Sequence, residues 1–368
     1  MLLFTPGPTP VPENIRQSMA TQTIHHRTPE FEKIFAKARK LLFNMLKTDE
    51  VLMLASSGTG AMESAVTNLT KSKILTINAG KFGERFGKIA KAHNIPNIEL
   101  KYDWDTPANV DEIMNTIQAN SDIDAIAIQI SESAGGLRHP VEEIAKQIKK
   151  FNPEISVIAD GITAMGVEKI DVSNIDALIG GSQKAFMLPA GLSILGLSNF
   201  AVEKIGNGKG FYFNLASEIK SQRKNTTAYT APTTLIIGLV AILEDIEKMG
   251  LDNFFEQTAK RGNAVISAIE SLGMKIFPKV PSKAMATIFS EQSPQIRKML
   301  KEDFGVNVAG GQDHLKNSIF RINNMGLISN SDISWVLNSL EAVLDKLDIR
   351  KFDGIANQTF MQKMVLTK

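Results

Sequence analysis

Four stretches of the chain gather side chains from which chemistry could be built. In Ile179-Gly180-Gly181-Ser182-Gln183-Lys184-Ala185-Phe186 a lysine follows an apolar run and two glycines, and it is the only charged residue between Ile179 and Phe200. A lysine among such neighbours can be desolvated, which lowers its pKa and frees an amine able to attack a carbonyl carbon. The competing reading is a solvated loop lysine. Ile158-Ala159-Asp160-Gly161 ends an apolar run on an acid. That acid is either a ligand-facing group at the carboxyl edge of a sheet or a helix N-cap. Ser56-Ser57-Gly58-Thr59-Gly60-Ala61-Met62-Glu63 offers small residues and free backbone N–H groups, suited to a phosphate or to a plain strand–helix turn. It fits neither the Walker nor the dinucleotide pattern. Arg321, inside Ser318-Ile319-Phe320-Arg321-Ile322-Asn323, needs a partner if buried. Its guanidinium suits a bidentate carboxylate, from a ligand or from a structural salt bridge.

The elements that must hold these groups follow from periodicity. Residues 1–14 contain four prolines and predict an extended arm rather than a helix or a central strand. Phe31, Ile34, Phe35, Ala38, Leu41, Leu42 and Met45 are spaced as one face of a helix over 29–46. Apolar runs at 51–54, 74–77, 125–130, 157–159, 177–179 and 192–197 predict strands. Helical patterns at 61–69, 82–93 and 141–150 alternate with them. This alternation predicts an α/β domain with a largely parallel or mixed sheet. Helices are expected over 235–249 and 254–272, where the pattern changes character. We read an N-terminal arm over 1–16, a large domain over 17–250 and a smaller α+β domain over 251–368. The tail after Arg350 has no assignment from sequence.

Bulk properties remove several function classes. The 368 residues carry 41 Lys and Arg against 39 Asp and Glu, a net charge of +2, which gives no drive toward nucleic acid or acidic membranes. There is no cysteine, so disulfides, thiolate metal sites and cysteine nucleophiles are excluded. The first residues lack a basic segment and a long apolar core, and the run Leu235–Leu243 stops at Glu244 and Asp245, too short for a bilayer. The expectation is a cytoplasmic protein with no membrane span. His25-His26 has no spacing that suggests a metal site, and none is expected.

Six motifs then occur in a telling order: Thr5-Pro-Gly-Pro-Thr-Pro-Val-Pro12, Ser57-Gly-Thr-Gly-Ala-Met-Glu63, Gly80-Lys-Phe-Gly-Glu-Arg85, Asp160-Gly-Ile-Thr-Ala-Met165, Gly181-Ser-Gln-Lys-Ala185 and Phe320-Arg-Ile322. Together they resemble the class V aminotransferases, in particular the alanine/serine–glyoxylate (serine–pyruvate) branch, over about residues 4–345. The resemblance implies a fold type I, pyridoxal 5'-phosphate (PLP) dependent transferase. Its large domain would carry a mostly parallel seven-stranded sheet between helices. It also implies roles. Lys184 carries the cofactor and shuttles the substrate proton, and Asp160 pairs with the ring nitrogen. Phe82 stacks on the ring. Ser57, Gly58, Thr59 and Gln183 surround the phosphate, and Ser133 lies near the phenolic oxygen. Thr227 and Thr230 reach the phosphate in the neighbouring subunit, which makes the protein a homodimer with shared sites. Arg321 grips the substrate carboxylate, and Gly7 leaves room for a small substrate side chain.

The implied reaction moves an amine from serine or alanine to glyoxylate or pyruvate. Relatives acting on phosphoserine, aspartate or aminoethylphosphonate are the alternatives, with Arg27, Arg85, Arg138 and His139 as basic groups for a phosphorylated substrate. A desulfurase fails for lack of a thiol. A catalytically silent subunit is disfavoured because Lys184 and Asp160 are both present.

Overall fold

The protein is described by a computed structural model covering residues 1–366. Its larger sheet has seven strands in the order Glu50–Leu54, Ser193–Leu197, Ala177–Gly181, Ser156–Asp160, Ile123–Gln129, Lys73–Asn78 and Asn97–Lys101. Only Ser193–Leu197 runs antiparallel to its neighbours, so the sheet is mostly parallel. The central strands are near-continuous apolar runs because helices cover both faces. On one face Leu52, Leu54, Ala125, Ala127, Ile158 and Ile179 meet the helices Gly58–Leu69 and Lys81–Ala92. On the other, Val51, Met53, Ile126, Ile128, Val157 and Leu178 meet Pro29–Leu46, Val141–Phe151 and Thr233–Met249.

A second sheet has five strands in the order Leu2–Phe4, Val306–Gly310, Ile319–Asn323, Met285–Phe289 and Lys275–Ile276. Helices Leu251–Ser271, Ser293–Phe304, Asn330–Lys346 and Ile355–Met361 close its apolar face around Ile269, Leu300, Phe320, Leu337 and Phe360.

The N-terminal segment differs from the expected arm. Leu2–Phe4 is a strand, paired in parallel with Val306–Val308, and Glu13–Met19 is a short helix that buries Ile15. A three-residue strand before a proline cluster carries too few residues for its period to show, and its partner lies about 300 residues away in the chain. Strand Asn97–Lys101 and helix Val110–Ala119 were not evident either, since the strand is half-exposed and mostly polar. The tail after Arg350 includes a helix that buries Ala356 and Phe360. Its last two residues lie outside the described residues. No helix among the described residues is long and apolar enough to cross a membrane.

Candidate active site

Asp160 is the last residue of Ser156–Asp160, and Lys184 lies three residues beyond Ala177–Gly181. These strands are parallel neighbours, with Asp160 in register with Ile179. Both groups therefore leave the sheet at its carboxyl edge, where open α/β sheets bind ligands. Asp160 keeps 4 % of its surface exposed and Lys184 9 %. Burial pushes the Asp160 carboxyl up to about 6. The N–H of Ile162 (2.9 Å) and the charges of Arg85 and Lys184 oppose that rise. Burial pulls the Lys184 amine down to about 8, helped by the positive charge of Arg321 and opposed by Asp160. Among the described residues no carboxylate forms an ion pair with Lys184. Its amine donates instead to the Pro6 carbonyl.

The N-terminal segment continues along the lysine. The Thr9 hydroxyl donates to the Lys184 carbonyl at 2.7 Å, and the Thr9 N–H to the Gln183 carbonyl at 3.1 Å. Gly7 lies against the side chain with a φ of +98°, and a Cβ there would stand 2.7 Å from Nζ. Gly7 is thus beside the reactive amine, and a side chain at this position would displace it.

Two helix starts border the group. Gly58–Leu69 begins after Ser57, whose side chain does not cap it; the Gly60 N–H turns to the Ser57 carbonyl at 2.9 Å, and the N–H groups of Gly58 and Thr59 are left for another acceptor. A Cβ on Gly58 would come within 2.3 Å of Ile162, which ties this turn to the one after Asp160. Lys81–Ala92 carries the half-buried Phe82 as its second residue. Arg85, one turn on, donates to the Thr59 hydroxyl at 2.8 Å and covers the Phe82 ring at 4.8 Å.

Arg321 is central in Ile319–Asn323 and 7 % exposed. It donates to the carbonyls of Ser133 and Gly310, both at 2.5 Å by its terminal nitrogens. No carboxylate among the described residues pairs with it, so the salt-bridge reading of this arginine falls away. Burial pulls its pKa down to about 10, against the charge of nearby Glu132. Ser133 is buried and enters the site through its carbonyl.

Thr227 and Thr230 stand apart. The Thr227 hydroxyl turns to the carbonyl of Tyr229, and Thr230 is exposed. Within the chain neither is hydrogen-bonded to Lys184, Asp160 or the Ser57–Thr59 turn among the described residues. His25 and His26 face each other at 4.7 Å, and no group of three or more metal-ligating side chains occurs among the described residues.

Glu132 is a site residue that sequence reasoning missed. It is fully buried, and its carboxylate accepts the N–H groups of Phe82 (3.0 Å), Gly83 (2.9 Å) and Ala134 (2.9 Å). Burial raises its pKa to about 7 against those bonds, with the charge of Asp160 adding to the rise. The available signal was a lone acid among small residues directly after an apolar strand.

The residues present fit PLP on their own chemistry. A desolvated primary amine faces a site that also holds a buried carboxylate, an uncapped helix start and an aromatic face. Two buried amides strengthen the case, because orphaned polar atoms in such a place ask for a partner. The Gln183 side-chain oxygen and both amide atoms of Gln129, which is in register with Asp160, have none. An α/β fold with this constellation defines a PLP-dependent aminotransferase.

Comparison with known proteins agrees. Residues 1–331 match the aminotransferase class-V family, and the chain belongs to that family. It is 52% identical over 365 residues to an uncharacterized aminotransferase of Helicobacter pylori, covering 99% of each chain. It is 27% identical to the serine–glyoxylate aminotransferase of Hyphomicrobium methylovorum, covering 93% of this chain and 89% of that one. The solved aspartate aminotransferase of subgroup IV from Thermus thermophilus superposes with a TM-score of 0.88 at 30% identity, over 94% of this chain and 99% of that one.

Proposed function

We propose that this aminotransferase moves the amine of a small amino acid, serine or alanine, to glyoxylate or pyruvate. The observation that carries the reading is Arg321. It is a buried guanidinium held by backbone carbonyls, with no carboxylate partner among the described residues, and its charge acts on Lys184. An α-carboxylate placed there would answer both the charge and the planar donor fork. Bound PLP supplies the electron sink for electrons released at the substrate α-carbon. Asp160 would hold the ring nitrogen protonated through its negative charge. Lys184 would take up the proton of the substrate α-carbon on its buried amine. Gly7 and the Pro6 carbonyl wall the amine and limit the substrate side chain.

In the same reading the protein is a homodimer with shared sites, in which Thr227 and Thr230 reach the partner's phosphate. Phe211 and Tyr212 support this: they sit beside Tyr229 with 80% and 44% of their surface exposed, an aromatic patch of the kind that partners cover. A second reading, aspartate as donor, is favoured by the solved Thermus aspartate aminotransferase. A donor–acceptor panel on purified protein decides. Serine or alanine with glyoxylate or pyruvate should give the highest kcat/KM. A preference for aspartate or phosphoserine would replace the first reading. Sedimentation of the holoenzyme as a monomer would remove the shared site.

A further inference from the structure

The charge of Arg85 acts on the Asp160 carboxyl, but the two do not form an ion pair. Arg85 lies in Lys81–Ala92 three residues after Phe82, on the same helix face. Among the described residues no carboxylate forms an ion pair with it, whereas Arg39, Arg138 and Arg350 each meet a glutamate. Glu84 beside it is engaged by Lys88 and Lys81. Among the described residues the only side-chain hydrogen bond of Arg85 is to the neutral Thr59 hydroxyl at 2.8 Å. Thr59 sits in the first turn of Gly58–Leu69, whose start Ser57 leaves uncapped. A guanidinium and the positive end of a 12-residue helix thus converge on one hydroxyl, and both favour an anion.

The position separates this anion from the substrate carboxylate. Arg321 is held at Ser133 and Gly310, whereas Arg85 is held at Thr59 and over the Phe82 ring. We propose that Arg85 is a cofactor-binding residue that donates to the phosphate of PLP beside Thr59. This rests on the assignment of PLP as cofactor. A structural guanidinium that serves only to hold Thr59 would add nothing once that hydroxyl is gone, so direct donation requires Arg85→Gln to weaken PLP binding further in a Thr59→Ala background.

The test is equilibrium binding to cofactor-stripped protein, with PLP and with pyridoxal, which lacks the phosphate. In Arg85→Gln the Kd for PLP should rise roughly 10–100-fold, as for loss of a charge-assisted hydrogen bond, while the Kd for pyridoxal stays within about twofold. Arg85→Lys, which keeps the charge but not the fork, should fall between wild type and Arg85→Gln. Inorganic phosphate should compete with PLP less well in Arg85→Gln than in wild type. Equal loss of PLP and pyridoxal binding, or no loss of either, overturns the proposal. If Arg85→Gln does not fold, Arg85→Lys and phosphate competition in wild type decide by the same comparison. Failure of wild-type protein to bind PLP at all would strike the cofactor assignment itself, a distinguishable result.

Discussion

Glu132 accepts the backbone N–H of Phe82 at 3.0 Å, across fifty residues of sequence. The same carboxylate takes Gly83 and Ala134, so it fixes the helix that carries the aromatic face and the turn whose carbonyl holds Arg321. Glu132→Ala orphans three N–H groups, each costing about 1–3 kcal/mol when buried. We expect a Tm lower by several degrees and weakened binding of both PLP and pyridoxal. Glu132→Gln, with one acceptor oxygen left, should be milder. An unchanged Tm in Glu132→Ala would refute the role.

The Lys184 amine gives a pH signature. Its folded pKa, about 8, lies below the ordinary value of 10.5. Between those values the unfolded chain holds a proton that the folded chain has released, so stability of the cofactor-free protein rises with pH across that window. Below about pH 8 the buried charge is a standing cost. Lys184→Met should therefore raise the Tm at pH 7, with the advantage shrinking toward pH 10. The rate at which wild-type apoprotein captures PLP should climb with pH and level off above about 8, because the neutral amine is the nucleophile. A flat Tm difference and a flat capture rate would contradict this.

Removing the carboxylate grip should act on substrate and spare the cofactor. Arg321→Gln deletes the charge that acts on Lys184 and the fork held at Ser133 and Gly310. We expect kcat/KM for the amino donor to fall by roughly 10–150-fold, mostly through KM, with PLP affinity nearly unchanged. Loss of PLP binding to the same degree would reassign Arg321 to the cofactor.

At Gly7 the backbone and the lysine compete for one space. Alanine there meets a φ of +98°, and its Cβ would lie 2.7 Å from both Cδ and Nζ of Lys184. The backbone cost alone is about 1–2 kcal/mol. We expect Gly7→Ala to lower the Tm, and to lower it less in a Lys184→Ala background, where the clashing atoms are gone. Equal losses in the two backgrounds would show that only the backbone matters.

Much of the larger sheet was legible because its strands are apolar runs and its helices keep a 3.6-residue period. The convergence of Lys184 and Asp160 followed from their places after two such runs. What stayed hidden depends on distance in the chain. The pairing of Leu2–Phe4 with Val306–Val308 leaves no local trace. Glu132 works by accepting N–H groups from Phe82 and Gly83, which any residue could donate, so no neighbour in sequence announces it. The lack of a carboxylate ion-paired with Arg321 among the described residues, which separates a ligand grip from a structural salt bridge, is a property of the folded surroundings alone. The helix Ile355–Met361 buries only Ala356 and Phe360, too few positions to set a period.

The N-terminal strand has a mechanical consequence. Leu2–Phe4 is stitched to Val306–Val308, and the adjoining strand Ile319–Asn323 carries Arg321. Two residues after that stitch, the chain already touches Lys184, at Pro6 and then at Gly7 and Thr9. The strand that carries the guanidinium is thereby joined, through the strand Val306–Gly310 and a short proline-rich tether, to the carbonyl that accepts from the amine.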